Sequence, residues 1–284
     1  MDMKKKNART HSREGAAEKM PKKRTVIVVG ASSGIGYETA LRLLGRGYAV
    51  SNISRTPCPL AQAENHTADV TDGEAFESAI KTICNEREDV FALVYCAGFS
   101  MAAPIEYAKE EDYRYLFEVN YFGALRALRA VVPYLKKRGG RVVIVSSLGG
   151  TFPIAFDSFY SSSKAAVDML VRSAALELEP YGIRLCSVRP GGTSTEFTFK
   201  RKVYADEEVR DYSSRMRRAA GALAEMEQQG MSAGEVAREI VEAISEKNPP
   251  LARACGGKNK LFSAAGKVLP LRASQYIDKK VYRQ

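Results

Sequence analysis

Two residue types four positions apart, Tyr160 and Lys164, open the chemical reading of this chain. That spacing places both side chains on one face of a helix. A phenol is suited to giving a proton to, or taking one from, an alcohol or ketone oxygen, but free tyrosine titrates near about 10. A lysine ammonium at about 4 Å, at an effective dielectric of about 20, favours the phenolate by roughly 4 kcal/mol before screening. Lowering a phenol by two or three units takes only about 3–4 kcal/mol. Ser147 ends the apolar run Val142-Val143-Ile144-Val145, thirteen residues before Tyr160, and offers a hydroxyl to the same oxygen. Tyr-x-x-x-Lys is common on exposed helices, so its weight comes from what surrounds it.

What surrounds it begins at Gly30-Ala31-Ser32-Ser33-Gly34-Ile35-Gly36, between an apolar run at 25–29 and a helical pattern at 34–44. A dinucleotide pyrophosphate needs open backbone amides at a helix N-terminus, and side chains there would block it. Glycines at 30, 34 and 36 meet that need, although the spacing differs from G-x-G-x-x-G. About twenty residues on, Asn52-Ile53-Ser54-Arg55 has no carboxylate to hold a ribose 2′-hydroxyl. Arg55 instead offers a fork matched to a 2′-phosphate, which favours NADP(H) over NAD(H).

These residues have to be positioned by a scaffold. Further strands are expected at 48–53, 65–70, 90–95, 141–146 and 183–189, and helices at 73–86, 108–137, 158–178 and 233–246. Such alternation predicts an α/β fold, a single Rossmann-like doubly wound parallel sheet with helices on both faces. In such sheets ligands bind beyond the strands' carboxyl ends, where the turn, Ser147 and Tyr160 would meet. Five scattered cysteines without C-x-x-C spacing and only two histidines, His11 and His66, give no metal site.

Over residues 24–256 the chain resembles the short-chain dehydrogenase/reductase family. The resemblance rests on Gly30-x-x-x-Gly34-x-Gly36, Asp69-Val70, Ala97-Gly98, Asn120, Ser147, Tyr160-x-x-x-Lys164 and Pro190-Gly191 with Thr195. It implies a catalytic tetrad. Tyr160 would be general acid/base, and Ser147 would bind the reacting oxygen. Lys164 would hold the nicotinamide ribose and lower the Tyr160 pKa, while Asn120 would support a water-linked proton relay. Ser32, Ser33 and Ile35 belong to the cofactor turn, Asp69 and Val70 would contact adenine, and Pro190, Gly191 and Thr195 would flank the nicotinamide. The chain departs from the family at Tyr95-Cys96, where Asn-Asn is common, and at Val29, where a threonine is common.

Leu148, Phe152, Pro153, Phe156 and Phe159, with Phe99 and Met101, are candidates for a substrate pocket or for core. Residues 196–230 break the strand–helix rhythm, carry many aromatics and resemble the family's substrate lid. An apolar substrate is expected, rather than a sugar or charged acid: a lipophilic secondary alcohol or ketone, with a hydroxysteroid leading. A 3-oxoacyl-thioester reductase and a non-enzymatic NADPH-sensing protein are the alternatives.

The net charge of +10 sits at the ends: +6 over residues 1–24 and +7 over 250–284, leaving about −3 between them. That distribution argues against nucleic-acid binding. Residues 1–23 read as a disordered basic tail and 257–284 as an amphipathic C-terminal extension. The extension could cover the pocket, meet a partner subunit or touch a membrane. The absence of a long apolar run or signal sequence predicts a cytoplasmic protein, and the resemblance suggests a homodimer or homotetramer.

Overall fold

The computed structural model describes residues 23–87, 89–266 and 270–282; the expected basic tail, but for Lys23, lies outside them. Seven strands form one parallel sheet: β1 (Thr25–Val29), β2 (Ala49–Ser54), β3 (Ala63–Thr67), β4 (Val90–Tyr95), β5 (Gly140–Val145), β6 (Ile183–Arg189) and β7 (Ala252–Ala254). Their spatial order is β7-β6-β5-β4-β1-β2-β3. The order reverses between β1 and β4, so a crevice opens at the carboxyl ends of that pair. The Val/Ile runs of β1 and β5 are buried on both faces, which is why they lack polar alternation.

The helices of two turns or more are α1 (Gly34–Gly45), α2 (Gly73–Glu86), α3 (Glu110–Phe117), α4 (Gly123–Leu135), α5 (Ser158–Leu178), α6 (Ser213–Gln228), α7 (Ala233–Ser245), α8 (Gly257–Ala265) and α9 (Leu271–Val281). One face of the sheet packs on α2, α4 and α5 through Phe76, Val131 and Val171. The other packs on α1 and α7 through Leu43, Val236 and Ile240. A smaller cluster around Met101, Leu116, Tyr204 and Met216 ties the 196–230 segment to α3 and α5.

Two expectations are corrected, and one strand lies outside every predicted run. The third strand lies at Ala63–Thr67 rather than 65–70, because Ala68 to Thr71 turn away so that the Asp69 carboxylate can accept from Thr71 N and Oγ1. The continuous helix over 108–137 is broken by a π-helical turn at Glu118–Phe122. Strand β7, three residues long, was not anticipated; it pairs along β6 from Ser187 to Arg189. Among the described residues no helix is long and apolar enough to cross a membrane.

Candidate active site

The glycine turn leaves β1 at Gly30, whose φ is +89°, and a Cβ there would lie 3.2 Å from Ala97 N. Gly36 is excluded from carrying any side chain, since its Cβ would sit 2.0 Å from Gly30 O. Buried Asn52 braces the turn: its Oδ1 accepts from Ala31 N at 2.9 Å, and its Nδ2 donates to Asn65 Oδ1 at 2.8 Å. Ser33, at the α1 N-cap, makes no side-chain cap, and no acidic residue stands in the first turn. The α1 N-terminal amides and dipole therefore face the crevice free of a competing carboxylate, the donor set a pyrophosphate requires. Gly34 leaves open space, as a Cβ there would meet only Thr195, at 3.8 Å. Arg55 stands at the end of β2, 71% exposed, with Nη1 3.8 Å from Asp69.

A cavity of about 780 Å³ runs along these carboxyl ends. It is lined by Gly30, Ser32, Ser33, Gly34, Ile35, Gly36, Arg55, Asp69, Val70, Ala97, Gly98, Ser147, Tyr160, Lys164, Pro190, Gly191 and Thr195. Of the catalytic and cofactor-binding residues expected from sequence, Asn120 alone stands back from the wall. It lies behind Gly98, where a Cβ would come 3.1 Å from Asn120 Oδ1 and 3.3 Å from Lys164 Nζ. Its amide is fully engaged, accepting from Phe99 N and donating to Phe99 O and Ser163 Oγ, each at 3.0 Å. Ser163 Oγ in turn donates to Tyr160 O at 2.7 Å.

The π turn sets this position. Such a turn leaves a backbone carbonyl short of its usual partner, and buried Tyr95 supplies one by donating its hydroxyl to Val119 O at 2.6 Å. Gly123 makes room, because a Cβ there would fall 2.2 Å from that hydroxyl. The Tyr95 departure from the family pattern thus holds the segment that carries Asn120.

Tyr160, 8% exposed, stands beside Ser147 across Gly149, whose N donates to Ser147 Oγ at 3.0 Å. Lys164 lies on the same face of α5, with Nζ 5.7 Å from the Tyr160 ring centre and donating to Val145 O at 3.0 Å. Burial dominates both groups. It pushes the Tyr160 phenol up, against the opposing effect of the Ser147 hydroxyl, and lowers Lys164 to about 8, opposed by Asp168. The direct depression of the phenol expected from the Tyr–Lys spacing is therefore outweighed here, and the ammonium is directed at the β5 carbonyl.

One corner of the cavity is charged. Asp157, Arg201 and Glu227 line it, with side chains only 2%, 4% and 11% exposed. Arg201 pairs with Glu227 and donates from Nε to Ser100 Oγ at 2.8 Å. Ser100 Oγ donates to Asp157 Oδ2 at 2.8 Å, and Thr198 to Glu227 Oε2 at 2.7 Å. Burial pushes Asp157 up to about 7, although Ser100 and Arg201 hold it back. Asp157 and Glu227 add to the rise at Tyr160, with Arg201 opposing them. Nothing in the sequence marked this cluster, because its members lie 26 or more residues apart on the chain or sit singly at a helix cap.

The apolar wall includes Phe99, Leu148, Phe152, Phe197, Leu223 and Met226. Other pocket candidates serve packing: Met101 is fully buried, Phe159 stacks on Tyr113 at 4.8 Å, and Phe156 meets the edge of Tyr212. Phe156 also has φ +62°, an uncommon conformation for a bulky residue, immediately before Asp157. Phe262, Ile277, Val281 and Tyr282 of the C-terminal segment complete the lining.

A family model described as short chain dehydrogenase matches residues 24–205. The chain is 31% identical over 255 residues to a 3-ketodihydrosphingosine reductase of Bacteroides thetaiotaomicron, covering 88% of this chain and 95% of that protein. It is 32% identical to human 17-beta-hydroxysteroid dehydrogenase type 1, over 66% of this chain and 61% of that protein. A crystal structure of a short-chain dehydrogenase from Streptomyces avermitilis superposes with a TM-score of 0.77 at 31% identity, covering 92% of this chain and 98% of that one. This chain belongs to the short-chain dehydrogenase/reductase family of oxidoreductases.

Proposed function

We propose that this protein reduces a lipophilic ketone with NADPH, and that the ketone carries a polar head beside a long apolar part. The observation that carries the reading is a continuous cavity, which joins the glycine turn and Arg55 to Ser147, Tyr160 and an apolar wall with one charged corner. When bound, NADPH supplies the hydride. The α1 N-terminus would hold its pyrophosphate, Arg55 its 2′-phosphate, and Lys164 its nicotinamide ribose.

Ser147 and Tyr160, side by side across Gly149, would both donate to the ketone oxygen. Tyr160 would deliver the proton as the carbonyl becomes an alkoxide; its raised phenol keeps that proton in place until negative charge develops on the oxygen. Asn120, locked to Phe99 and Ser163, would keep α5 in register with the β4 turn.

The substrate preference rests on the charged corner. A steroid skeleton offers little to Asp157, Arg201 and Glu227, whereas a polar head with N–H or O–H groups would meet the carboxyl groups of Asp157 and Glu227 and the Arg201 guanidinium. The relative matched over 95% of its length is named for a long-chain keto lipid, while the steroid dehydrogenase is matched over 61%. The test is NADPH oxidation over a panel of 3-ketodihydrosphingosine, simple long-chain ketones, steroid ketones and 3-oxoacyl thioesters, with NADH alongside. Highest kcat/KM on the head-bearing keto lipid with NADPH is expected. Preference for a steroid or a thioester would overturn the substrate reading, and tight NADPH binding without any turnover would favour the sensor.

A further inference from the structure

We propose that the C-terminal helices α8 and α9 form a docking surface for anionic lipid bilayers, built around the mouth of the cavity. The docking stands on this surface alone, whichever ketone the site takes. Three observations carry it.

The first is charge. Residues 250–284 hold a net +7 while residues 25–249 hold about −3. Lys258, Arg272, Lys279 and Lys280 are all exposed on the two helices. An anionic surface would attract this end, as it would the basic residues 1–24, and would repel the negatively charged body between them.

The second is apolar exposure within the same segment. Leu261 is 73% exposed, Tyr276 61% and Phe262 57%. Large apolar and aromatic side chains interspersed with lysines are the composition of a helix that lies in a bilayer interface. Lys280 stands 4.9 Å over the Tyr276 ring, so one cation and one aromatic share the same patch. An aromatic ring with a polar tip is suited to the headgroup level of a membrane.

The third is continuity with the cavity. Phe262, Ile277 and Val281 are exposed and also line the cavity, whereas Leu261 and Tyr276 on the same helices are exposed outside its lining. The segment is seated inward by other residues. Tyr282 is 8% exposed, Asn259 packs against Gly191, and Gly266 lies so close to Phe152 that a Cβ there would come within 2.5 Å of the ring. The outer apolar residues are thus left over after the cap has docked on the catalytic domain. An apolar ligand dissolved in a bilayer would enter past Phe262, Ile277 and Val281 without crossing water.

The test is co-sedimentation of the full chain with phosphatidylcholine vesicles and with mixed phosphatidylcholine–phosphatidylglycerol vesicles. Binding to the mixed vesicles, weakened by salt, and little to the neutral ones is expected. The double variant Lys279→Glu, Lys280→Glu should weaken binding about tenfold or more, and Leu261→Ser with Tyr276→Ser should do likewise. Because the variants are read against the intact chain, the basic N-terminal residues are common to both. Circular dichroism and NADPH binding should be unchanged, which separates a failure of docking from loss of the fold. Equal sedimentation of wild type and variants, or no binding to mixed vesicles, would overturn the proposal. So would a shift in oligomeric mass in the Leu261/Tyr276 variant without any vesicle binding, since a second copy of the chain would then be the occupant.

Discussion

Tyr160 sits where burial and the neighbouring Ser147 hydroxyl act in opposite directions, and substitution separates proton transfer from binding. Tyr160→Phe keeps the ring against Phe197 but removes the proton. Turnover should fall by about 10²-fold or more while NADPH affinity, read by fluorescence titration, stays within a few-fold. Arg55 is exposed and paired only at 3.8 Å with Asp69, so it can turn to a phosphate at little cost. Arg55→Ala should raise the Kd for NADPH by about tenfold or more and leave NADH nearly unchanged; equal losses for both would remove its assigned partner. Asp157 bears on stability. Its carboxyl is raised from 3.8 to about 7 by burial, so between those values the folded state binds the proton and the unfolded chain releases it. Stability therefore falls as pH rises through that window. Asp157→Asn should flatten that part of the stability–pH curve, as urea melts across the window would show.

The element on which the site turns is the π segment between α3 and α4. Helical periodicity over 108–137 is legible, but a single extra residue in a turn leaves no periodic trace in so short a stretch. What gives it away is a tertiary contact, Tyr95 to Val119 O. Tyr95→Phe strands that buried carbonyl and should destabilise the protein by about 1–3 kcal/mol in denaturant melts. Gly123→Ala places a methyl where the Tyr95 hydroxyl lies, and should displace Asn120 and lower kcat more than it raises KM. By contrast α2, α5, β4 and β6 fall at 73–86, 158–178, 90–95 and 183–189 as the sequence predicts, because long amphipathic or fully apolar runs bounded by glycine or capping residues carry their limits locally.

At the scale of the whole molecule, the sequence by itself determined the alternation of strands and helices, the glycine turn, the Tyr–Lys pair on one helix face and the lack of a carboxylate after β2. Each is written in residues close together on the chain, where backbone geometry and local spacing decide the outcome. Only the tertiary structure decided the rest. It placed Asn52 under the phosphate turn, Ser163 behind Asn120, and Arg201 between Asp157 and Glu227. It also brought a basic, apolar C-terminal pair of helices to the mouth of the cavity. Those partners are tens to more than a hundred residues apart. Burial, which raised Tyr160 and lowered Lys164 against the expectation from their spacing, is a property of everything packed around a group rather than of its neighbours in sequence.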